Sequence, residues 1–308
     1  MTKPKMVMMC GLVGSGKSTK AEELAKLYNA NIHASNNIRE ELGDVNSQDN
    51  NQLVFQTLHN RIKEDLKNGK NCIYDATNIN YKRRMGFLKE LNNIPCEKIC
   101  VLMATPYKEC VKNNLSRDRQ VPVDVIKRMY KNFHIPYWYE GWDDIQIEYS
   151  EGAKGENGYP VRWLQDMKFY DQENSHHTFT LGEHCEKTWG YVCKKLKDKP
   201  LENSLSVKIA SILHDCGKVN TKSFYNSKGE LDENAHYYNH QYVGAYESLF
   251  FNTLDFPINY AVLIMWHMQP YFWERDNNEK IHNKYKELWG KELYKDIMLL
   301  HEADKQAH

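Results

Sequence analysis

The chain has 308 residues, of which 41% are hydrophobic and 27% charged, and its 41 basic side chains balance 41 acidic ones. That length exceeds one ordinary domain, and that balance excludes a polybasic binder whose whole surface carries one sign of charge. The charge is unevenly spread: residues 1–150 hold 22 basic and 18 acidic side chains, whereas the remainder holds 19 and 23, with ten of the 13 histidines. Two domains are therefore expected, the first facing phosphates and the second holding metal.

The first half alternates short apolar runs with helical patterns, as parallel α/β proteins do. Strands are predicted at 6–10, 30–33, 72–75 and 99–103. Helices are predicted at 17–28, 38–42, 53–68 and 81–91, and from Pro122 to a point before Pro136. Residues 1–150 are thus expected to form an α/β domain with a parallel sheet flanked by helices.

The stretch 151–160 contains three glycines, which indicates a domain boundary or an exposed hairpin, and we assign 151–174 to it. Beyond Glu183 the strand patterns give way to helical periodicity. Helices are predicted at 183–197, 206–214, 240–252, 258–267 and 288–305. Residues 175–308 are therefore expected to form an all-helical second domain.

The eight cysteines form no CxxC pair, and the apolar run at 6–13 is broken by Gly11 and lacks a small-residue cleavage site. Neither a disulfide scaffold nor a secretory signal fits this pattern. No apolar stretch approaches the roughly 20 residues that cross a bilayer. The sequence predicts a cytoplasmic protein with reduced thiols and no membrane partner, and it is compatible with a homo-oligomer.

A phosphate-binding loop follows the first predicted strand and leads into a predicted helix, in the pattern G-x-x-x-x-G-K-[ST]. The candidate nucleotide-binding residues are Gly11, Gly14, Ser15, Gly16, Lys17, Ser18 and Thr19. The glycines let backbone N–H groups turn toward an anion, and the helix N-terminus adds partial positive charge. Lys17 would reach the outer phosphates and Ser18 would ligate Mg²⁺, so ATP and Mg²⁺ are the expected cofactors.

Three later segments carry polar groups suited to phosphoryl transfer. The segment 34–42, ASNNIREEL, follows the second strand, where phosphoryl acceptors are commonly held, and YDATN at 74–78 closes a later strand. Arg117 and Arg119 precede the segment 121–126, and arginines on such a segment can close over a nucleotide. Taken alone, these two arginines fit a solvated surface role better.

Together with Arg83 and Arg84, these segments and the run RDRQVPVDVIKRMYKNF at 117–133 resemble the 5′-kinase domain of phage polynucleotide kinase. The resemblance covers about residues 5–140. It implies transfer of the ATP γ-phosphate to the 5′-hydroxyl of an RNA or DNA end. It also implies that Lys17 and Ser18 hold phosphate and Mg²⁺, that Arg39 fixes the acceptor, and that Arg117 is the lid arginine.

Two positions depart from that family. Its general base is an Asp three residues before the arginine that matches Arg39, and this chain has Asn36 there. An amide orients a hydroxyl but does not take its proton, and loss of a general base costs roughly 10²- to 10⁴-fold in rate. The family also has an arginine where this chain has Asn113. Asp44 and Asp75 are substitute bases only if the fold brings them to the acceptor.

The second half contains histidines and carboxylates in or beside predicted helices with apolar neighbours. These candidate metal ligands are His184, His214, Asp215, His240, His267 and Asp304. Six inward imidazoles and carboxylates are costly to bury unless they bind cations or one another. Mixed ligands of this kind suit Mn, Fe, Co, Ni or Zn.

The order of these residues, with the sequences NHQYVGA at 239–245 and HEAD at 301–304, resembles the HD phosphohydrolase superfamily over about residues 175–308. The resemblance implies one metal held by His184, His214, Asp215 and Asp304. It implies a second metal or the phosphate at His240 and His267, with Lys218 on the scissile phosphoryl group. Metal-bound water would then attack phosphorus.

The other histidines are weaker candidates. His176, His177 and His236 could contact the substrate or lie behind the ligands, but a surface or capping role is favoured for them, and His282, His301 and His308 are treated as ordinary. The aromatic cluster Tyr137, Trp138, Tyr139 and Trp142 could stack bases or form a joint between domains, and the joint is favoured.

The two resemblances together imply an end-healing enzyme. It would phosphorylate 5′-hydroxyl ends and hydrolyse 3′-phosphates or 2′,3′-cyclic phosphates, with RNA such as cleaved tRNA as substrate and a ligase acting afterwards. A host cytoplasm is implied if the chain is phage-encoded. One rival is a phosphohydrolase of free or cyclic nucleotides whose N-terminal domain only binds ATP, and another is a non-catalytic, ATP-gated binder of nucleic-acid ends.

Overall fold

The computed structural model describes residues 3–43, 50–154, 165–174, 178–251 and 256–307. The chain divides into two compact units. The first comprises Met1–Met129 and Pro136–Gly155, and the second comprises Tyr130–Ile135 and Glu156–His308. The segment Tyr130–Ile135 thus packs within the second unit although the residues on either side of it belong to the first.

The first unit is an α/β fold. Its strands are β1 (Lys5–Cys10), β2 (Ala30–Ala34), β3 (Asn71–Asp75), β4 (Glu97–Ala104) and β5 (Asp144–Tyr149). Its helices are α1 (Lys17–Tyr28), α2 (Ser35–Glu41), α3 (Asn51–Lys67), α4 (Tyr81–Glu90), α5 (Tyr107–Leu115) and α6 (Val123–Tyr130), followed by single turns at Trp138–Glu140 and Glu151–Lys154.

The five strands form one parallel sheet in the order β2-β3-β1-β4-β5. The central strands are almost wholly buried because helices cover them, as the apolar run MVMMC in β1 requires. The register pairs Ala34 of β2 with Asp75 of β3, so the segments that follow these two strands lie side by side. Ligands of open parallel sheets bind at this carboxyl edge.

The parallel sheet with flanking helices confirms the predicted architecture of the first half, and each predicted strand lies within one or two residues of an observed one. Two elements were not predicted, namely α5 and the edge strand β5. The sequence of β5, DIQIEY, alternates polar and apolar residues, which is the usual pattern of a half-exposed strand.

The second unit consists mainly of helices. They are α7 (Leu181–Lys195), α8 (Leu205–Leu213), α9 (His240–Ser248), α10 (Pro257–Trp266), α11 (Gln269–Arg275) and α12 (Glu279–Gln306), with short turns at Leu201–Asn203 and Cys216–Asn220. Helix α8 packs against α7 and α10, α9 packs against α10, and α7 packs against α12. The apolar sides of α8 and α10, two of the most hydrophobic helices, form the centre of this core.

The expectation of an all-helical second domain was wrong in one part. Two short antiparallel strands, β6 (Ser223–Tyr225) and β7 (Leu231–His236), form a hairpin between α8 and α9. Its turn is closed by Asn226, whose side-chain oxygen accepts from the backbone N–H of Lys228 and Glu230, at 2.9 and 3.0 Å. The sequence of β7, LDENAH, is largely solvent-facing, so no apolar alternation marked it.

Helix α12 begins nine residues before the predicted start. Gly290 has φ 71° and ψ 178° inside it, so two helical segments meet at a kink there. Helix α11 was not predicted at all. Within the described ranges, no helix is both long and apolar enough to cross a membrane.

Candidate functional site

The loop between β1 and α1 has the backbone geometry of a phosphate cradle. Gly14 and Gly16 have φ of 80° and 86°, in the left-handed region that side chains disfavour. A Cβ at Gly14 would also overlap the carbonyl oxygen of Cys110 in α5. Thr105 Oγ1 donates to the Ser15 carbonyl at 3.1 Å and Asn113 donates to the Gly14 carbonyl at 3.0 Å. These bonds occupy loop carbonyls, which favours loop N–H groups facing inward.

Lys17 and Ser18 lie at the start of α1, as the motif requires. The Lys17 Nζ is buried inside the loop, 2.6 Å from the Leu12 carbonyl oxygen, and burial lowers the pKa of Lys17 despite the opposing charge of Asp75. The Ser18 hydroxyl donates to Asp75 Oδ2 at 2.8 Å. A hydroxyl and a carboxylate in contact at the carboxyl edge of the sheet are the ligand types with which P-loop proteins hold Mg²⁺. Thr19 is exposed on the same turn.

The segment after β2 forms α2, which carries both acceptor-side candidates. Arg39 is buried and donates to Asn51 Oδ1 at the start of α3. Asn36 is exposed in the first turn of α2, two residues beyond Ala34, which pairs with Asp75. Asp44 lies outside the described residues. Of the two substitute bases, the described one, Asp75, contacts the Ser18 hydroxyl.

Arg117 and Arg119 are exposed on the loop between α5 and α6. Asn114 closes the base of this loop, because its side chain donates to the Val121 carbonyl at 2.8 Å and accepts from the Val121 N–H at 3.0 Å. The charge of Arg117 is among the influences that lower the pKa of Lys17. Arg117 therefore belongs to the electrostatic surroundings of the cradle.

A buried ion pair is connected by hydrogen bonds to β1, the strand that leads into the phosphate cradle. Sequence reasoning did not identify this ion pair. Arg84 in α4 makes two bonds to Glu140, at 2.7 and 2.6 Å, with both side chains fully buried. Arg84 also donates to the Asn78 carbonyl at 2.8 Å, and Asn78 donates to the Met9 carbonyl of β1 at 2.8 Å. Trp142 completes the network by donating to Glu140 at 3.1 Å, so this member of the aromatic cluster belongs to the core of the first unit.

In the second unit, six buried side chains lie close together: three are in α7, α9 and α12, and three directly follow α8 and α10. They are His184, His214, Asp215, His240, His267 and Asp304, hereafter the imidazole–carboxylate cluster. The Nε2 atoms of His184 and His214 lie 3.1 Å apart, and Asp304 Oδ1 lies 3.0 Å from that of His184. Asp215 Oδ1 lies 3.0 Å from His240 Nε2, which is 3.3 Å from His267 Nε2. The carboxylate of Asp215 thus belongs to both groups of ligand atoms.

The tautomers of three cluster histidines follow from their backbone contacts. The Nδ1 atoms of His214, His240 and His267 lie 2.9, 2.8 and 2.7 Å from the carbonyl oxygens three residues earlier. A carbonyl only accepts, so each Nδ1 carries a proton, and Nε2 is the ring atom left to bind a metal ion. The Nε2 atoms of His240 and His267 lie 3.3 Å apart, and a proton or a metal ion between them would stabilise this arrangement. The donor set fits a divalent metal ion with backbone carbonyls orienting its histidines.

The charges of the cluster follow from its contacts. Burial alone would raise the pKa of Asp215, but the charges of Lys218 and His214 outweigh burial and hold it well below its usual range. The pKa of Asp304 is held low in the same way by His214 and His184. Burial lowers the pKa of His267, whereas for His214 the charge of Asp215 outweighs burial and raises the pKa. Both carboxylates are thus ionised at neutral pH and available to a cation.

Three neighbours of the cluster carry no recognisable sequence signal. Gln172 is buried and accepts from Lys218 Nζ at 2.8 Å, while Lys218 also contacts Asp215 Oδ2 at 2.7 Å. Tyr271 donates to Asp304 Oδ2 at 3.1 Å. Tyr237 donates to the backbone carbonyl of Gln172. The segments that bear Gln172 and Tyr271 were not predicted to contribute, because a single glutamine or tyrosine in a loop or short helix has no distinguishing spacing.

The remaining histidines lie elsewhere or outside the described residues. His236 pairs with Asp232 at 3.0 Å on the hairpin, and His301 contacts Glu274 at 2.8 Å. His282 contacts the hydroxyl of Tyr294 at 2.9 Å. His176, His177 and His308 lie outside the described residues.

Comparison with known proteins shows that the first unit is similar to one protein family and to a kinase. Residues 6–136 match the protein-family model described as an AAA domain. Over 152 residues the chain is 25% identical to the L-seryl-tRNA(Sec) kinase of Methanococcus maripaludis, an alignment that covers 47% of this chain and 60% of that kinase. The first unit is therefore a P-loop kinase-like domain, and the chain spans about 60% of the length of this curated relative.

Two solved structures are similar at a lower level. A candidate kinase from Chloroflexus aurantiacus J-10-fl aligns with TM-score 0.43 and 16% identity, over 54% of this chain and 96% of that one. A chain of the Pnkp1/Rnl/Hen1 RNA repair complex aligns with TM-score 0.37 and 21% identity, over 42% of this chain and 43% of that one.

Proposed function

We propose that the chain is an end-healing enzyme for broken RNA, with a 5′-hydroxyl kinase in its first unit and a metal-dependent phosphohydrolase in its second. The observation that carries the proposal is the meeting of His184, His214, Asp215, His240, His267 and Asp304 within a chain that also holds a phosphate cradle. Buried charges are paired or coordinate metals, and a metal ion held by this set of carboxylates and imidazoles would supply hydrolytic chemistry.

The residues that line the phosphate cradle support the proposed kinase activity. The oxygen of the 5′-hydroxyl forms a bond to the γ-phosphorus of ATP as the bond from that phosphorus to the β–γ bridging oxygen breaks, so that ADP leaves. Lys17 and the loop N–H groups would hold the outer phosphates, and Ser18 with Asp75 would hold Mg²⁺. The similarity to a kinase that acts on a tRNA-linked substrate supports an RNA acceptor.

Asn36 stands where a general base is expected in the resemblance to phage polynucleotide kinase. Its amide would orient the acceptor hydroxyl, and Arg39, buried in the next turn of α2, would fix the acceptor phosphate. The hydroxyl proton would then leave to solvent or to a phosphate oxygen. A slow kinase is expected for that reason.

The hydrolase half is supported by the shared carboxylate of Asp215. His184, His214, Asp215 and Asp304 would hold one divalent ion, and Asp215, His240 and His267 a second one or the phosphate. A bound divalent ion supplies Lewis-acid chemistry, because it draws charge from a phosphoryl oxygen and lowers the pKa of water at the site. Lys218, whose Nζ lies 2.7 Å from Asp215 Oδ2, would donate a hydrogen bond to the same phosphoryl group.

The hydrolytic step cleaves the bond between phosphorus and a ribose oxygen as the oxygen of water forms a bond to phosphorus. A proton then reaches the departing ribose oxygen. For a 2′,3′-cyclic end, one such step gives a monophosphate and a second gives free phosphate and a diol. A ligase would then join the 3′-hydroxyl to the 5′-phosphate made by the first unit.

The test uses one RNA with a 5′-hydroxyl and a 2′,3′-cyclic phosphate, incubated with ATP, Mg²⁺ and Mn²⁺, with each end scored separately. Lys17→Met should abolish 5′-phosphorylation and leave the 3′ reaction, and His214→Gln should do the reverse. His236→Gln, which changes a histidine outside the cluster, is the matched control. Reaction only at the 3′ end would favour a phosphohydrolase with a nucleotide-binding domain, and reaction only with free nucleotides would refute end healing.

Asn36→Asp tests the account of the missing base. Restoring a carboxylate should raise the 5′-phosphorylation rate by roughly 10²- to 10⁴-fold with little change in KM for ATP, because the carboxylate takes the acceptor proton. An unchanged rate would show that another group already accepts that proton. Asn37→Asp places the same charge one residue further on and serves as the control.

A further inference from the structure

Aromatic rings and lysines form a continuous series of contacts in the second unit, beginning at the imidazole–carboxylate cluster. Lys218 contacts Asp215 of the cluster, and its Nζ lies 5.6 Å from the centre of the Tyr237 ring. Tyr237 in turn shares a side-chain hydrogen bond with Tyr170. Both tyrosines are half-buried. The contacts therefore lead outward from the buried cluster to the surface.

The same arrangement continues onto the β6–β7 hairpin. The Lys222 Nζ lies 5.1 Å from the centre of the Tyr170 ring and 5.7 Å from that of Phe224 in β6. Lys222 and Phe224 are also half-buried. Glu173 holds Lys222 by an ion pair of 2.6 Å, so the ammonium is kept in place beside the two rings. We call Lys218, Tyr237, Tyr170, Lys222 and Phe224 the aromatic–lysine row.

We propose that the aromatic–lysine row binds the last nucleotides of a single-stranded polynucleotide whose terminal phosphate lies at the cluster. A strand presents flat bases and phosphates in alternation, and proteins bind such strands with aromatic rings that stack on bases and cations that face the backbone. The row holds three rings and two lysines. A free nucleotide has only one base, so it would not reach the outer ring and lysine of the row, which are Phe224 and Lys222.

This inference rests on the proposed hydrolase function and names its substrate class as a polymer end. A strand phosphate that approached Lys222 would compete with the Glu173 carboxylate for the ammonium group. The phosphate contact of Lys222 would then contribute to the slope of log affinity against log salt.

The hairpin supplies matched controls. Tyr225 follows Phe224 in β6 and therefore points to the opposite face of the hairpin, where it is 58% exposed. Lys228 is exposed in the hairpin turn. Tyr225→Ala and Lys228→Gln thus remove the same kinds of group from the same hairpin without touching the row.

The first measurement is the affinity for a fluorescent single-stranded RNA of ten nucleotides with a 3′-phosphate, by anisotropy, with metals chelated. Phe224→Ala should weaken binding by about 5- to 100-fold, the equivalent of one lost base stack. Lys222→Gln should reduce the slope of log affinity against log salt by about 0.7, the value for one phosphate contact on a single strand. Tyr225→Ala and Lys228→Gln should bind as the unaltered protein does.

The inference is overturned if Phe224→Ala and Lys222→Gln bind the RNA as tightly as the unaltered protein, or if the control variants lose as much. Phe224→Leu, which keeps an apolar side chain but removes the flat ring, repeats the test if Phe224→Ala fails to fold. Single-stranded DNA of the same sequence shows whether the ribose contributes.

The second measurement separates this inference from the proposed function. It compares kcat/KM for the ten-nucleotide RNA with that for a mononucleotide 2′,3′-cyclic phosphate. If the ratio falls by about 5- to 100-fold in Phe224→Ala, both the strand-binding inference and the hydrolase proposal are supported. If both substrates turn over and the ratio is unchanged, the hydrolase stands and the row does not bind the strand. If neither turns over but the anisotropy pattern holds, the row binds a strand and the hydrolase proposal fails.

Discussion

Adding a divalent metal ion should raise the melting temperature of the unit that contains the imidazole–carboxylate cluster. The perturbation is titration of chelated protein with Mn²⁺, Ni²⁺ or Zn²⁺. Without a metal ion, the buried ionised carboxylates of Asp215 and Asp304 repel each other, and the Nε2 atoms of His240 and His267 face each other at 3.3 Å. A cation replaces this repulsion with bonds in the folded state alone, and ligands that bind only the folded state stabilise it.

The magnitude follows from the linkage between binding and folding. At a metal concentration one hundred times its dissociation constant, the gain is about 2.7 kcal/mol. For folding units of 150 to 250 residues, each kcal/mol raises the melting temperature by about 2–4 °C, so a rise of about 5–11 °C is expected. A variant with hundredfold weaker affinity would gain about 0.4 kcal/mol at the same concentration, or about 1–2 °C.

The assay is differential scanning calorimetry of the unaltered chain, His214→Gln and His236→Gln, each with chelator and with metal. His236→Gln is the control because that histidine pairs with Asp232 outside the cluster. The transition should move by the calculated amount in the unaltered chain and in the control, and by 2 °C or less in His214→Gln. A shift of equal size in all three proteins, or in none, would refute the reasoning.

Three further predictions concern the stability of the two units and the binding of ATP. Arg84→Met leaves Glu140 as a buried unpaired charge and should cost about 3–5 kcal/mol in urea denaturation, and adding Glu140→Leu should restore most of the loss; equal stability of the single and double variants would contradict this. Gly14→Ala forces a Cβ against the Cys110 carbonyl and should weaken ATP binding at least tenfold by calorimetry, so unaltered affinity would argue against the cradle. Burial raises the pKa of Asp296 from its ordinary 3.8 to about 6, so the folded state keeps this proton longer than the unfolded state and stability falls as pH rises between those values. Asp296→Asn should therefore raise the melting temperature at pH 7.5 but hardly at pH 4, and a rise of equal size at both would exclude the titration.

The sequence determined the first unit's fold because its signals are local. The apolar run before Gly11, the glycines of the loop and the helix that begins at Lys17 lie next to one another in the chain, so periodicity and turn chemistry identify them directly. The parallel sheet followed from buried strands that alternate with helices. The missed strand β5 lies at the sheet edge, where a half-exposed strand of alternating polar and apolar residues gives a weaker signal than a continuous apolar run.

The candidate ligands were likewise visible in the sequence, since histidines and aspartates beside apolar helices are costly to bury alone. Their tautomers, their spacing and the sharing of Asp215 between two groups depend on how helices distant in the sequence pack together. Tertiary packing alone placed Gln172 against Lys218 and Tyr271 against Asp304.

The β6–β7 hairpin and the aromatic–lysine row depended wholly on the tertiary structure. Tyr170 and Phe224 are more than fifty residues apart, and no periodicity connects them. Their meeting around Lys222 is set by the turn at Asn226 and by the segment before α7, which is hydrogen-bonded to β7 at Ala235. Short-range pattern thus specifies which residues carry chemistry, whereas long-range packing decides which of them act on one ligand, because contacts between distant segments form only once the core has brought them together.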